Sequence, residues 1–114
     1  RGIGWFYPYA ILMAYQESNF TVYAENPNGL DKGLFQYRIL YWGEYCAGAG
    51  QNGADIFNPY SQIEVFAHYM ALRASWGCTV SDMISRHNMS DYGPYNQDYV
   101  NHVMSWEPGM IKIN

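Results

Sequence analysis

Apolar positions recur at helical spacing in three stretches of the chain. From Pro8 to Asn19 (PYAILMAYQESN), Ile11, Leu12 and Tyr15 share one face and are expected to point to the core. Pro8 suits the first turn, where its missing N–H has no intrahelical partner to lose. Glu17 then falls in the last turn. The second stretch opens at Asn58-Pro59, with Asn as cap and Pro just inside. Ile63, Phe66, Ala67, Met70 and Leu72 carry its apolar stripe to about Ser75. The third runs from about Gln97 to Trp106, with Tyr99, Val100, Val103 and Met104 as its buried side and Pro108-Gly109 as its stop. Ser81 is placed to cap a shorter helix through His87.

Turn chemistry separates these stretches. Asn26-Pro27-Asn28-Gly29 is a turn signal, followed by the compact run Gly33-Leu34-Phe35-Gln36. Gly48 to Gly53 is a loop holding three glycines. No repeat, low-complexity tract or linker interrupts the chain. The pattern predicts one mainly α domain over 1–114, with a short loop or β-turn region after the first helix.

Composition agrees with a folded domain: hydrophobic residues make up 49% and charged residues 14%, over a length that buries a single core. The 12 Tyr and 4 Trp offer flat apolar faces with polar tips, suited to sugars or partner surfaces and equally to a core and its rim. A net charge of −4 without a basic stripe argues against nucleic acid as a partner. It neither favours nor opposes an anionic cell-wall substrate. No apolar run approaches the length of a membrane span. The chain starts at Arg1 without Met, as a mature product, an excised domain or a trimmed chain would.

Cys46 and Cys78 permit one disulfide in an oxidising compartment, or remain two free thiols. They lack zinc spacing and any signature of a nucleophile. His68, His87 and His102 show no metal-ligand spacing either, so no metal and no cofactor is expected. Asn19-Phe20-Thr21 and Asn88-Met89-Ser90 fit the N-glycosylation pattern and are read as chance, since a glycan on the first would sit beside Glu17.

Glu17 is the residue to which chemistry attaches. It closes an apolar helix and precedes Phe20, so apolar neighbours are expected around it. Such surroundings raise a carboxyl pKa and let it protonate a leaving alkoxide near neutral pH. Taken alone, a glutamate at a helix end is a surface residue. Its context says more. Glu17-Ser18-Asn19-Phe20, followed after a turn by Asp31-Lys32-Gly33-Leu34-Phe35-Gln36, resembles the lysozyme-like superfamily, whose members carry Glu-Ser-x-Phe/Trp and then Gly-Leu-Met/Phe-Gln. The spacing from Glu17 to Gln36 is near that of the bacterial and phage lytic transglycosylase (SLT-type) domains. Ala24-Glu25-Asn26-Pro27-Asn28-Gly29 looks like their Ala-x-Ser-Pro-x-Gly turn, and Asn58-Pro59 through Leu72 like their Asn-Pro-x-x-Asn-Ile helix. Arg86-His87-Asn88 stands where the family has Ala-Tyr-Asn, and Pro94-Tyr95-Asn96-Gln97-Asp98-Tyr99-Val100 is similar to its Pro-Glu-Thr-x-x-Tyr-Val. The likeness runs from about Tyr9 to Trp106.

The resemblance implies an α+β lysozyme-like fold: a helical bundle around a central helix, with a substrate cleft. It implies roles as well. Glu17 would be the general acid and then the general base, with Ser18 supporting the turn behind it. Asn26 replaces a substrate-contacting Ser. Gln36 would hydrogen-bond the sugar or its acetamido group, Asn88 would shape the cleft floor, and Tyr99 would contact the substrate or the catalytic carboxyl. His87 replaces a Tyr that would hydrogen-bond that carboxyl; if charged beside Glu17 it would lower the pKa of the acid. Tyr95 replaces a substrate-binding Glu, and Phe35 replaces a Met. Tyr37, Tyr41 and Trp42 either stack on sugar faces or join the core.

Asp31 decides between mechanisms. Glycosidases that hydrolyse pair two carboxyls, and lysozyme is the standard example of that scheme. Asp31 precedes its Gly-Leu-Phe-Gln stretch as an Asp does in animal-type lysozymes, yet the preceding turn has the shorter transglycosylase length. The whole-chain resemblance leans towards the transglycosylases and so implies lytic cleavage of the bond from N-acetylmuramic acid to N-acetylglucosamine, with a 1,6-anhydro product and one carboxyl. The alternatives are a hydrolytic muramidase using Glu17 with Asp31, and a wall-binding module of a phage or secretion apparatus that has lost catalysis. The implied partner is the peptidoglycan glycan strand, met by a monomeric domain outside the cytoplasm or on a phage particle.

Overall fold

Asn58 accepts the Ser61 N–H at 3.1 Å, and Pro59 fills the first turn behind it, so the longest helix starts where its cap and its proline coincide. The computed structural model describes residues 2–106. A single 3-10 turn, Gly4–Phe6, leads into α1 (Tyr7–Ser18). Two short strands follow, β1 (Asp31–Lys32) and β2 (Tyr37–Arg38), and then α2 (Ile39–Gly48), α3 (Pro59–Ser75), α4 (Val80–Met89) and α5 (Gln97–Ser105). The described residues are mainly α, with one small two-stranded sheet among them.

One helix cap and one whole helix differ from the sequence expectation. Thr79, not Ser81, caps α4, because Thr79 accepts the Asp82 N–H at 3.1 Å while Asp82 accepts the Thr79 N–H in return. Helix α2 has no counterpart in the sequence reading. Its Ile39, Leu40 and Tyr41 are exposed and only Trp42 and Cys46 are buried, so the apolar residues do not trace one face. Asn96 caps α5 by accepting the Tyr99 N–H at 3.0 Å. The proposed Pro108-Gly109 stop lies outside the described residues.

The buried faces also shift. In α1 the buried residues are Met13 and Ala14, while Ile11, Leu12 and Tyr15 are half-buried. In α3 Ile63 is exposed, and in α5 Met104 is exposed while Tyr99, Val100 and Val103 are buried. Met13, Val65, Met70, Met83, Ile84 and Val103 form the sealed centre of one core. Helix α5 lies against α1 and α4, and α3 touches α2 and α4.

The hairpin pairs Asp31 with Arg38 and Lys32 with Tyr37 in antiparallel register. Its tip is fixed from beneath by Gln62, a buried polar residue of α3. The Gln62 Oε1 accepts the Leu34 N–H at 2.8 Å, and its Nε2 donates to the carbonyls of Val22 (3.2 Å) and Ile56 (3.0 Å). Gly33 has φ +89°, and a Cβ there would lie 2.9 Å from the Gln62 Cδ. Glycine is required on both counts. Phe35 then drops onto Phe66, ring centroids 3.7 Å apart and nearly parallel.

The disulfide candidate does not form: Cys46 is buried in α2, Cys78 lies in the turn before α4, and both thiols are free. Among the described residues, no helix is long and apolar enough to cross a membrane.

Candidate active site

Helix α1 stops one residue after Glu17, and the stop places the carboxyl. Asn19 and Phe20 both adopt left-handed backbone, with φ of 52° and 61°. Asn tolerates this conformation; an aromatic residue does so only under constraint. Three contacts supply the constraint. The Ser18 Oγ donates to the Leu34 carbonyl at 2.8 Å, the Thr21 N–H donates to the Ser18 Oγ at 3.2 Å, and the Phe20 ring packs on Tyr15 at 5.6 Å. Ser18 thus ties the end of α1 to the hairpin and does not face the cleft.

A cleft of about 520 Å³ opens between the end of α1, the hairpin, α2 and the C-terminal ends of α3 and α4. Of the residues singled out from sequence, Glu17, Asn26, Asp31, Gln36, Tyr37, His87 and Asn88 all line it. Tyr41 lines it too, whereas Trp42 is in the core with its Nε1 donating to the Ala54 carbonyl. Tyr95 is not among the lining residues; it is half-exposed in the connection before α5.

Burial dominates at Glu17 and lifts its pKa from 4.5 to about 7. A hydrogen bond of 3.1 Å donated by the Tyr99 hydroxyl to Oε2 works in the other direction, and the nearby negative charge of Asp31 adds to the rise. Tyr99 is 8% exposed and stands behind the carboxyl, so it acts on the acid and leaves the open side of the cleft free.

Asp31 shares the cleft but is engaged. Arg38 Nε reaches Oδ1 at 2.9 Å and Nη2 reaches Oδ2 at 3.1 Å, a bidentate fork, with the Asn28 side chain on Oδ2 at 3.3 Å. The Arg38 hydrogen bonds hold the Asp31 carboxyl below the usual carboxylate range.

His87 behaves differently from the sequence expectation. Its Nε2 lies 2.7 Å from the Phe35 carbonyl and donates to it, with no contact to Glu17 among the described hydrogen bonds. Helix α4 sets the ring edge-on against Phe66 (5.5 Å) and Tyr37 (5.2 Å). Burial, then the charge of Arg73, press its pKa from 6.5 down to about 4, so the imidazole is neutral at neutral pH. A charged histidine beside the acid is therefore not a feature of this site.

Gln36, at φ 53°, spends its amide N–H groups on the carbonyls of Gly33 (2.9 Å) and Ala24 (3.3 Å), which leaves the Oε1 side for a ligand. The Asn88 Oδ1 accepts from Asn96 at 3.0 Å, and the Asn26 Oδ1 accepts the Asn28 N–H at 3.0 Å. Arg38 and Arg73 line the cleft and were not anticipated. A hairpin reading would have paired Arg38 with Asp31 across the strands. The signal for Arg73 was a cation one turn past Met70 inside an apolar stripe. Compared with protein-family models, with curated proteins and with solved structures, the chain matches none.

Proposed function

We propose that the chain is a lysozyme-like domain that cleaves peptidoglycan as a lytic transglycosylase, with Glu17 as its acid and base. The observation that carries this reading is the contrast between two carboxyls in one cleft. Glu17 holds a proton to about pH 7, whereas Asp31 is ionised and clasped on both oxygens by Arg38. A group so clasped is a poor nucleophile, and its negative charge is largely answered before any sugar cation develops.

One carboxyl suffices for the reaction. The Glu17 proton passes to the oxygen joining the N-acetylmuramic acid C1 to the N-acetylglucosamine C4, and the C1–O bond breaks. The departing sugar leaves as a free 4-hydroxyl. The Glu17 carboxylate, held by the Tyr99 hydroxyl, then takes the proton of the muramic acid C6 hydroxyl as its oxygen closes on C1. The product carries a 1,6-anhydro ring, and Glu17 is protonated again. The polar lining at Asn26, Gln36 and Asn88 offers hydrogen bonds for acetamido and hydroxyl groups, and Tyr41 offers an aromatic face.

The substrate places the domain outside the cytoplasm or on a phage particle, acting on glycan strands as a monomer. Mass analysis of digested, purified peptidoglycan tests the reading: 1,6-anhydro ends support it, reducing ends assign the chain to hydrolysis with Asp31, and an undigested wall leaves a binding module.

A further inference from the structure

The cleft carries a second polar cluster, built around Arg73. This side chain is 4% exposed yet lines the cleft. A guanidinium offers five N–H donors. Among the described residues, its partners are Asp91, which accepts from Nε at 2.9 Å, and the Met70 sulfur, 3.8 Å from Nη1. Arg86 shares the same carboxylate, with Nη1 at 3.7 Å from Oδ1 and 3.3 Å from the Asp91 carbonyl. Among the described residues, two cations on one anion leave a positive charge unanswered.

Tyr37 provides the independent observation. It is 6% exposed and lines the same cleft, and its buried hydroxyl has no hydrogen-bond partner among the described residues. Native structures keep few such groups, because burying a hydroxyl without a partner costs stability. The ring is held between Tyr45 (5.1 Å) and His87 (5.2 Å), so the hydroxyl cannot swing to another acceptor without repacking. The Arg73 charge acts on Tyr37, Tyr45 and His87, opposed at both tyrosines by that of Asp91, whereas Asp31 is the charge that acts on Glu17. The acid and the Arg73 cluster therefore sit in different parts of one groove.

We propose that Arg73 and Tyr37 form an anion subsite that takes a carboxylate carried by the glycan substrate, Arg73 through its remaining N–H donors and Tyr37 through its hydroxyl. The inference rests on the reading of the cleft as glycan-cleaving. Peptidoglycan presents that chemistry twice, in the lactyl group of stem-free muramic acid and in the peptide stem.

The test is calorimetric binding to the Glu17→Gln chain, which holds ligands without cutting them. Three probes are compared: strands bearing peptide stems, strands stripped of stems but keeping the lactyl carboxylate, and neutral chitohexaose. Carboxylate-bearing strands should bind about tenfold tighter than chitohexaose, as expected for charge-assisted hydrogen bonds. Adding Tyr37→Phe or Arg73→Met should narrow that ratio towards one. Tyr37→Phe removes an oxygen that no described protein group uses, so its thermal midpoint should not fall. If Arg73→Met does not fold, Tyr37→Phe carries the test alone. Tight binding of the stem-free strands alone identifies the lactyl carboxylate, of stem-bearing strands alone a peptide carboxylate, and of both a subsite that takes either. Equal affinity for all three, or a ratio that Tyr37→Phe leaves unmoved, overturns the inference and leaves the proposed function standing. If no probe binds, both fall.

Discussion

The Tyr99 hydroxyl donates to Oε2 of Glu17 across 3.1 Å, joining α5 to the last turn of α1. A donor to a carboxylate favours its charged form. Tyr99 therefore restrains a pKa that burial has raised, and it orients the same group. Replacing it with Phe should shift the alkaline limb of the pH–rate profile to higher pH. It should also lower kcat by roughly tenfold through lost orientation. A purely structural tyrosine would lower the rate and leave the limb where it was.

Glu17→Gln should reduce cleavage by roughly 10²- to 10⁴-fold, the range of general acid catalysis. The native chain should lose activity as pH rises through about 7, where the acid deprotonates. Stability follows the same proton. Because the folded pKa exceeds the unfolded value, the contribution of Glu17 is full below 4.5 and is lost as pH rises through about 7. The loss is at most about 3 kcal/mol. Urea unfolding should find the Gln variant equal to native at pH 4 and more stable at pH 8.

Asp31→Asn separates the one-carboxyl from the two-carboxyl scheme. Under lytic chemistry kcat changes by only a fewfold and 1,6-anhydro ends persist. Asp31 helps to raise the pKa of Glu17, so its neutralisation should also move the alkaline limb to lower pH. A drop of roughly 10²-fold or more in kcat would instead assign Asp31 a direct part in the reaction.

The hairpin depends on one buried amide. Gln62→Leu strands the Leu34 N–H and the carbonyls of Val22 and Ile56, and should cost about 2–4 kcal/mol in chemical unfolding. Gly33→Ala adds a methyl where φ is positive and Gln62 is too near, for a cost of about 1–3 kcal/mol. Both should weaken glycan binding, because Asp31, Gln36 and Tyr37 ride on the same hairpin.

Both cysteines should titrate as thiols in the unfolded chain, and a reductant should leave the native thermal midpoint unchanged. Burial raises the Cys46 thiol pKa, so in the folded chain it should react slowly with a thiol reagent.

The helices with local punctuation were legible in the sequence. Asn58-Pro59 marked α3 because cap and proline act within a single turn, and Glu17 was placed at the end of α1 for a similar reason. What escaped was non-local. Helix α2 hides because Ile39, Leu40 and Tyr41 face solvent, which breaks the apolar period. Arg38 gains its meaning only when the hairpin brings it to Asp31, seven residues away. His87 was legible as a site residue, but its partner, the Phe35 carbonyl, lies 52 residues earlier and no local pattern names it.

Trp106 follows α5, sets its ring edge-on to Tyr15 at 4.7 Å and donates from Nε1 to the Gln16 Oε1 at 2.7 Å. Gln16 lines the cleft beside the acid. Trp5 and Trp76 look into solvent, and Trp42 is locked in the interior. Of these indoles, Trp106 is the one hydrogen-bonded to a residue beside the acid, whereas Trp42 meets the groove through the Tyr37 ring at 5.6 Å. The molecule therefore contains its own optical gauge: an oligosaccharide that disturbs Gln16 should alter tryptophan emission without any attached dye, and Trp106→Phe should silence the change.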